Sequence, residues 1–188
     1  MKEKITETSI LLFEKKGFSQ TSIQDIVDEL EVTKGTFYYY FSSKEQLLMD
    51  IHLDYITDLL KRQEKIIEDD YLSEKQKLIK IIHMLIHDIR DKGPSGRVFF
   101  REIRHLADDH IDEIKKARAE FRHNIEKIIR KGIDRGEFRD DLRPDILAFG
   151  ILGVTNWSYN WYKPDGEVSP DELVEIFSGM ILQGIEKN

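Results

Sequence analysis

Thr33-Lys34-Gly35-Thr36-Phe37-Tyr38-Tyr39-Tyr40-Phe41, followed by Ser42-Ser43-Lys44, is the stretch on which the fold turns. Only Phe37 and Phe41 have the i, i+4 spacing of one buried helical stripe, so the three tyrosines and Lys34 are expected to face outward. An aromatic cluster in solvent is unusual unless a partner covers it. Hydroxyls, a lysine and a helix N-terminus are the groups that hold phosphates and base edges. The spacing therefore predicts a short helix that enters DNA. The competing reading is a buried aromatic turn within a helical core.

The flanking residues fit the first reading. Thr21-Ser22-Ile23-Gln24 has the form of a capping box, a hydroxyl at the helix start with an amide three residues on. The helix it opens should run to about Leu30, with Ile23, Ile26, Val27 and Leu30 on one face. Glu31-Val32-Thr33 makes a tight turn, and Thr33 is placed to cap the next helix. Two short helices joined in this way form a helix-turn-helix unit. Ahead of it, Ile5, Ser9, Leu12 and Phe13 line a first helix that Gly17 ends. Ser42 and Ser43, followed by Glu45 and Gln46, open a fourth helix, and Lys44 in its first turn is expected to meet a phosphate.

Residues 5–48 resemble the head of TetR-type transcriptional repressors. The residues that carry the resemblance are Phe13, Gly17, Phe18, Thr21-Ser22-Ile23, Asp25-Ile26, Val32 to Tyr38, Tyr40-Phe41 and Lys44-Glu45. It implies that Lys34, Gly35, Thr36 and Tyr38 face base edges. It also implies that Ser22, Gln24, Thr33, Tyr39, Tyr40 and Lys44 hold phosphates. The implied division is a DNA-binding head, residues 1–46, and a helical ligand-binding and dimerisation body, residues 47–188. One departure stands out: Glu31 occupies the turn position where the family usually has glycine. A side chain at positive φ there costs roughly 1 kcal/mol.

The chain has 188 residues, 40% of them hydrophobic and 35% charged, and no cysteine. That supports one or two compact domains, excludes disulfides and thiolate chemistry, and is compatible with a reducing cytoplasm. The net charge is −7, and residues 1–50 hold six lysines and arginines against nine acids. With no basic half, attraction to DNA has to come from local placement of Lys2, Lys4, Lys34 and Lys44. The N-terminus lacks the apolar core of a signal peptide. The longest apolar run, Ile146 to Tyr162, is too short and too polar to span a bilayer. No membrane partner is expected, and the location is expected to be cytoplasmic.

The rest of the chain has helical periodicity throughout, giving an all-α, nine-helix expectation of the kind the TetR resemblance also implies. The fourth helix is placed at about Ser43 to Glu68 and the fifth at Ser73 to Asp91. Lys92 to Gly96 reads as a loop. The sixth is placed at about Ser95 to Ala107 and the seventh at Ile111 to Arg135. The eighth runs from Pro144 to about Tyr162 and the ninth from Ser169-Pro170 to Ile185. The last two are too apolar for solvated surfaces, and two copies of the pair would make a four-helix homodimer interface. Phe149, Gly150, Gly153, Val154, Trp157, Trp161, Phe177, Met180, Ile181 and Gly184 are its candidate residues; the competing reading is closure of the monomer core. Such a dimer suits a pseudo-palindromic operator with half-sites roughly 34–36 Å apart.

The tail around Trp157, Trp161-Tyr162, Pro164 and Gly166 resembles a TetR subgroup that responds to acyl-coenzyme A thioesters, in place of a resident cofactor. Arg97, Arg101 and Arg104 at i, i+4 and i+7, with Arg118 and Arg122 further on, fit a phosphate-rich head group. Phe100, Asn156 and Trp157 complete the candidate effector site. The competing reading of these arginines is a solvated basic face paired with Glu102 or Glu120. A hydrophobic-ligand regulator of efflux, a protein-interaction module and a helical enzyme remain alternatives. Neither catalytic nor metal residues are expected: His83 and His87 have zinc-helix spacing, but Met84 stands where a zincin has its glutamate.

Overall fold

A computed structural model describes residues 1–106 and 111–185 in full and residues 108–110 as helix backbone. The described residues form nine α-helices: α1 (Lys2–Lys16), α2 (Ile23–Glu29), α3 (Lys34–Tyr40), α4 (Lys44–Ile67), α5 (Glu74–Asp91), α6 (Gly93–Arg101), α7 (Asp108–Asp134), α8 (Pro144–Trp161) and α9 (Pro170–Ile185). A single 3-10 turn, Ile103–His105, follows α6. No helix of the described residues is long and apolar enough to cross a membrane.

Two compact units emerge, one from Met1–Thr57 with Pro94–Lys116, the other from Asp58–Gly93 with the chain from Ala117 on. In the first, Ile5, Phe13, Ile26, Phe37, Phe41 and Leu47 are removed from solvent. Gly17 ends α1 at φ 87, a value that favours glycine, and its N–H donates to the Phe13 carbonyl. In the second, α5 is amphipathic, buries Leu78, Ile81, Ile82, Leu85 and Ile86, and packs on α8 and α9.

Polar ties fix this second unit. Arg62 of α4 grips Asp88 of α5 with two hydrogen bonds of 2.8 and 2.5 Å. The buried Gln63 donates to the Phe121 carbonyl and accepts from Asn124, each at 2.9 Å, joining α4 to α7. Ser73 caps α5 through a capping box with Gln76. The Glu137 carboxylate accepts the N–H groups of Glu74 and Lys75 in the first turn of the same helix. Gly132 is required by packing: a Cβ there would lie 2.2 Å from the ring of Phe138.

Helix boundaries differ from expectation in three places. The cap of α2 is Ser22, not Thr21, and its box partner is Asp25, not Gln24. Thr21 instead turns its hydroxyl inward to the Gly17 carbonyl at 2.9 Å. Gly93 to Gly96, expected as loop, is the first turn of α6. Proline belongs there, since the first helical turn does not use its missing N–H. The sixth helix stops at Arg101 rather than near Ala107, which lies outside the described residues.

Candidate nucleic-acid interface

Local chemistry sets the geometry of the helix-turn-helix. The Ser22 hydroxyl accepts the Asp25 amide, and the Asp25 carboxylate accepts the Ser22 amide at 2.7 Å. The Ser22 hydroxyl also donates to that carboxylate at 2.5 Å; this bond first, then the Ser22 amide and Lys16 at 3.1 Å, hold the Asp25 carboxyl well below the usual carboxylate range. Glu31 adopts φ 54 in the turn, as its place in the motif requires. Thr33 then caps α3, accepting the Thr36 amide at 3.3 Å.

Phe37 and Phe41 are buried, whereas Tyr38 is 54%, Tyr39 81% and Tyr40 36% exposed. The buried aromatic turn is therefore excluded. Lys34 and Gly35 are exposed at the start of the same helix, with Thr36 half-exposed beside them. A Cβ on Gly35 would meet nothing nearer than the Thr33 hydroxyl at 3.5 Å, ordinary van der Waals contact. The fold thus has no use for a glycine there, although glycine weakens a helix by roughly 0.5–1 kcal/mol.

Several candidate phosphate ligands are engaged within the protein. Gln24 donates to Asp28 at 2.6 Å, and the hydroxyl of Ser22 is taken up by its cap. Lys2 pairs with Asp50 at 3.8 Å and leans over the Phe41 ring. Lys44 departs furthest from expectation. Its ammonium donates to the Phe18 and Thr21 carbonyls at 2.8 and 2.7 Å and stands 4.2 Å from the Phe18 ring centre. It ties the α1–α2 loop to α4 while its side chain stays partly exposed.

The expected arginine face also breaks up. Because α6 ends at Arg101, Arg104 lies in the 3-10 turn against His105. Arg97 binds Glu14 at 2.8 Å. Arg101 donates to the Phe13 and Glu14 carbonyls at 2.6 and 2.8 Å and to the buried Glu102, so both cations serve the C-terminal end of α1. Spacing revealed a shared cationic character but not its destination. Phe100 is half-buried against Phe99, 5.2 Å between ring centres. On α7, Arg122 lies over the Phe149 ring at 4.5 Å and pairs with Glu126. Burial lowers the affinity of Arg118 for its proton. Asn156 is half-buried on α8.

Exposed apolar surface is concentrated. Among the described residues, every large exposed apolar side chain except Met1, Leu11 and Tyr71 belongs to α3, α8 or α9. On α8, Ile146, Phe149, Trp157 and Trp161 are each more than half exposed, as are Ile176 and Met180 on α9. Gly150, Gly153 and Gly184 are exposed among them, and a Cβ on any of the three would meet nothing within 4 Å. Val154, Phe177 and Ile181 are half-buried at the margin. Trp157, a candidate for two roles, lies on this exposed stripe. Sequence reading also left His83 and His87 as ordinary surface histidines; the structure brings Asp171 to both.

A three-helix head with a solvent-facing second helix-turn-helix element, joined to an all-helical body, defines a DNA-binding regulator. The chain belongs to the TetR family: residues 71–185 match the tetracyclin repressor-like C-terminal domain, and residues 5–51 match the bacterial regulatory proteins of the tetR family. Such proteins regulate transcription and are not enzymes. The chain is 26% identical over 188 residues to the HTH-type transcriptional repressor KstR2 of Mycolicibacterium smegmatis, covering 100% of this chain and 91% of that one. The solved ketosteroid transcriptional regulator KstR2 of Mycobacterium tuberculosis shares the fold at TM-score 0.91 and 22% identity, over 100% of this chain and 95% of that one. AibR, solved in complex with isovaleryl coenzyme A and operator DNA, is 25% identical with TM-score 0.85, over 95% of this chain and 96% of that one.

Proposed function

We propose that the chain is a homodimeric repressor that holds a pseudo-palindromic operator through two copies of α3 and leaves it on binding an acyl-coenzyme A thioester. The observation that carries this reading is the exposed face of α3, with its tyrosines in solvent and a glycine the fold does not need. In the proposed division of labour, residues 1–46 bind DNA and residues 47–188 sense the effector and pair. Lys34, Gly35, Thr36 and Tyr38 meet base edges, while Gln24, Thr33, Tyr39 and Tyr40 meet phosphates. Ser22 and Lys44 act by shaping the surface. A second copy covers the α8 and α9 stripe, since six apolar side chains more than half exposed on two helices that both pack on α5 call for a self-complementary partner. Access to the operator places the protein in the cytoplasm.

The thioester reading is supported by likeness to AibR, whose complex holds isovaleryl coenzyme A with operator DNA, and to the KstR2 repressors. Arg118 and Arg122 of α7, with Asn156 of α8, are the proposed partners of its phosphates. A hundredfold loss of operator affinity needs roughly 2.7 kcal/mol of preference of the effector for the released state.

The test is a gel shift of the DNA upstream of the chain's own gene, with short- and long-chain acyl-coenzyme A, free coenzyme A and a hydrophobic cationic drug. Release by a thioester alone is the expected result. Release by the drug alone would move the protein to the efflux class, and no shift at all would remove the operator role. In the same assay, Gly35→Ala should leave the fold unchanged or up to about 1 kcal/mol more stable. It should also weaken operator binding by roughly 1–3 kcal/mol. Unchanged binding would show that α3 does not approach DNA closely.

A further inference from the structure

We propose that His83 and His87 of α5 and Asp171 of α9 form a site for a transition-metal dication of the zinc type. The two imidazoles, one helical turn apart, stack at 3.9 Å between ring centres and 13° from parallel. Both direct Nε2 at one oxygen of the same carboxylate, at 2.9 Å from His87 and 3.8 Å from His83. One donor atom from each residue lies within 4.8 Å of the others.

A hydrogen bond accounts for the shorter separation only, since 3.8 Å is beyond hydrogen-bond reach. A tetrahedral ion with bonds of 2.0–2.2 Å places its donors roughly 3.3–3.5 Å apart, between the two observed separations. Small side-chain rotations therefore suffice. Imidazole nitrogens favour zinc, copper or nickel over magnesium or calcium, which prefer all-oxygen shells. Lys80 adds positive charge one turn before His83, and Asp91 adds negative charge one turn after His87. His83 and Asp171 are largely exposed and His87 is half-buried, so a fourth position is open to water. The ion would bind α5 to the first turn of α9, ahead of the exposed Ile176, Met180 and Gly184.

The test uses the full chain, stripped with chelator and titrated calorimetrically with zinc chloride, with magnesium chloride as the hard-cation control. Thermal melts run in parallel. One zinc per chain, a raised Tm and no response to magnesium are expected. His83→Gln and Asp171→Asn alter exposed positions and should keep the native circular dichroism while weakening zinc at least about tenfold. No zinc uptake by the unaltered chain would overturn the site, as would uptake that both variants leave unchanged.

Discussion

Lys44→Ala is expected to destabilise the protein by about 2–3 kcal/mol and to leave the salt dependence of operator binding almost unchanged. The sequence alone favours the opposite outcome, because a lysine in the first turn of the helix after the recognition helix is well placed for a phosphate. The structure turns it inward. Between Gly17 and Ser22 the chain has few helical hydrogen bonds of its own, and three of its carbonyls are taken up by two side chains. Thr21 donates to Gly17, and Lys44 donates to Phe18 and Thr21. A charged donor to a carbonyl contributes roughly 1.5–3 kcal/mol, and partial exposure of the side chain discounts the sum of two such bonds. The neighbouring Phe18 ring adds a cation–π contact that alanine also loses. Urea unfolding measures the first effect. Operator titration at several salt concentrations measures the second, since a lost phosphate contact lowers the slope by about 0.9. A variant of normal stability with a reduced slope would return Lys44 to the DNA surface.

The same contrast runs through the molecule. Features set by neighbours a few residues apart were legible: the start of α5 beside Ser73, the prolines that open α8 and α9 and Gly17 at the end of α1, while the positive φ of Glu31 was legible through the family resemblance. The outward tyrosines of α3 were legible too, because Phe37 and Phe41 use up its one buried stripe. Destinations that depend on distant partners were not. Arg101 and the carbonyl of Phe13 are 88 positions apart, and Lys44 and Phe18 are 26 apart. Asp171 reaches His87 across 84 positions. Composition misled at Gly93 to Gly96, where two glycines and a proline describe a loop. There Gly93 and Gly96 are buried beside Val98 and Phe99, and packing outweighs propensity. Thr21 and Ser22 offer equivalent hydroxyls to a sequence reader. Thr21 is nearly solvent-free, so its inward turn leaves the cap to Ser22.

Gly153→Glu should convert the dimer to monomers with little change in the fold of each chain. The reasoning starts from what a side chain would meet. In the single chain a Cβ on Gly153 has nothing within 4 Å, so the carboxylate projects into water and disturbs no packing. In a dimer formed by α8 and α9, that space belongs to the partner's apolar stripe, and glycine there lets two helices approach closely. Glutamate both prevents the approach and buries an uncompensated charge, a penalty of about 3–5 kcal/mol. Self-association should weaken by roughly two to three orders of magnitude. Sedimentation at micromolar concentration then shows one species of half the mass, and far-ultraviolet circular dichroism stays helical. Operator binding should fall steeply, because one head on one half-site cannot draw on the second. Gly150→Ala, a smaller intrusion on the same face, should show a weaker version of both losses. A variant that sediments as a dimer and binds the operator normally would mean that α8 and α9 face something other than a second copy.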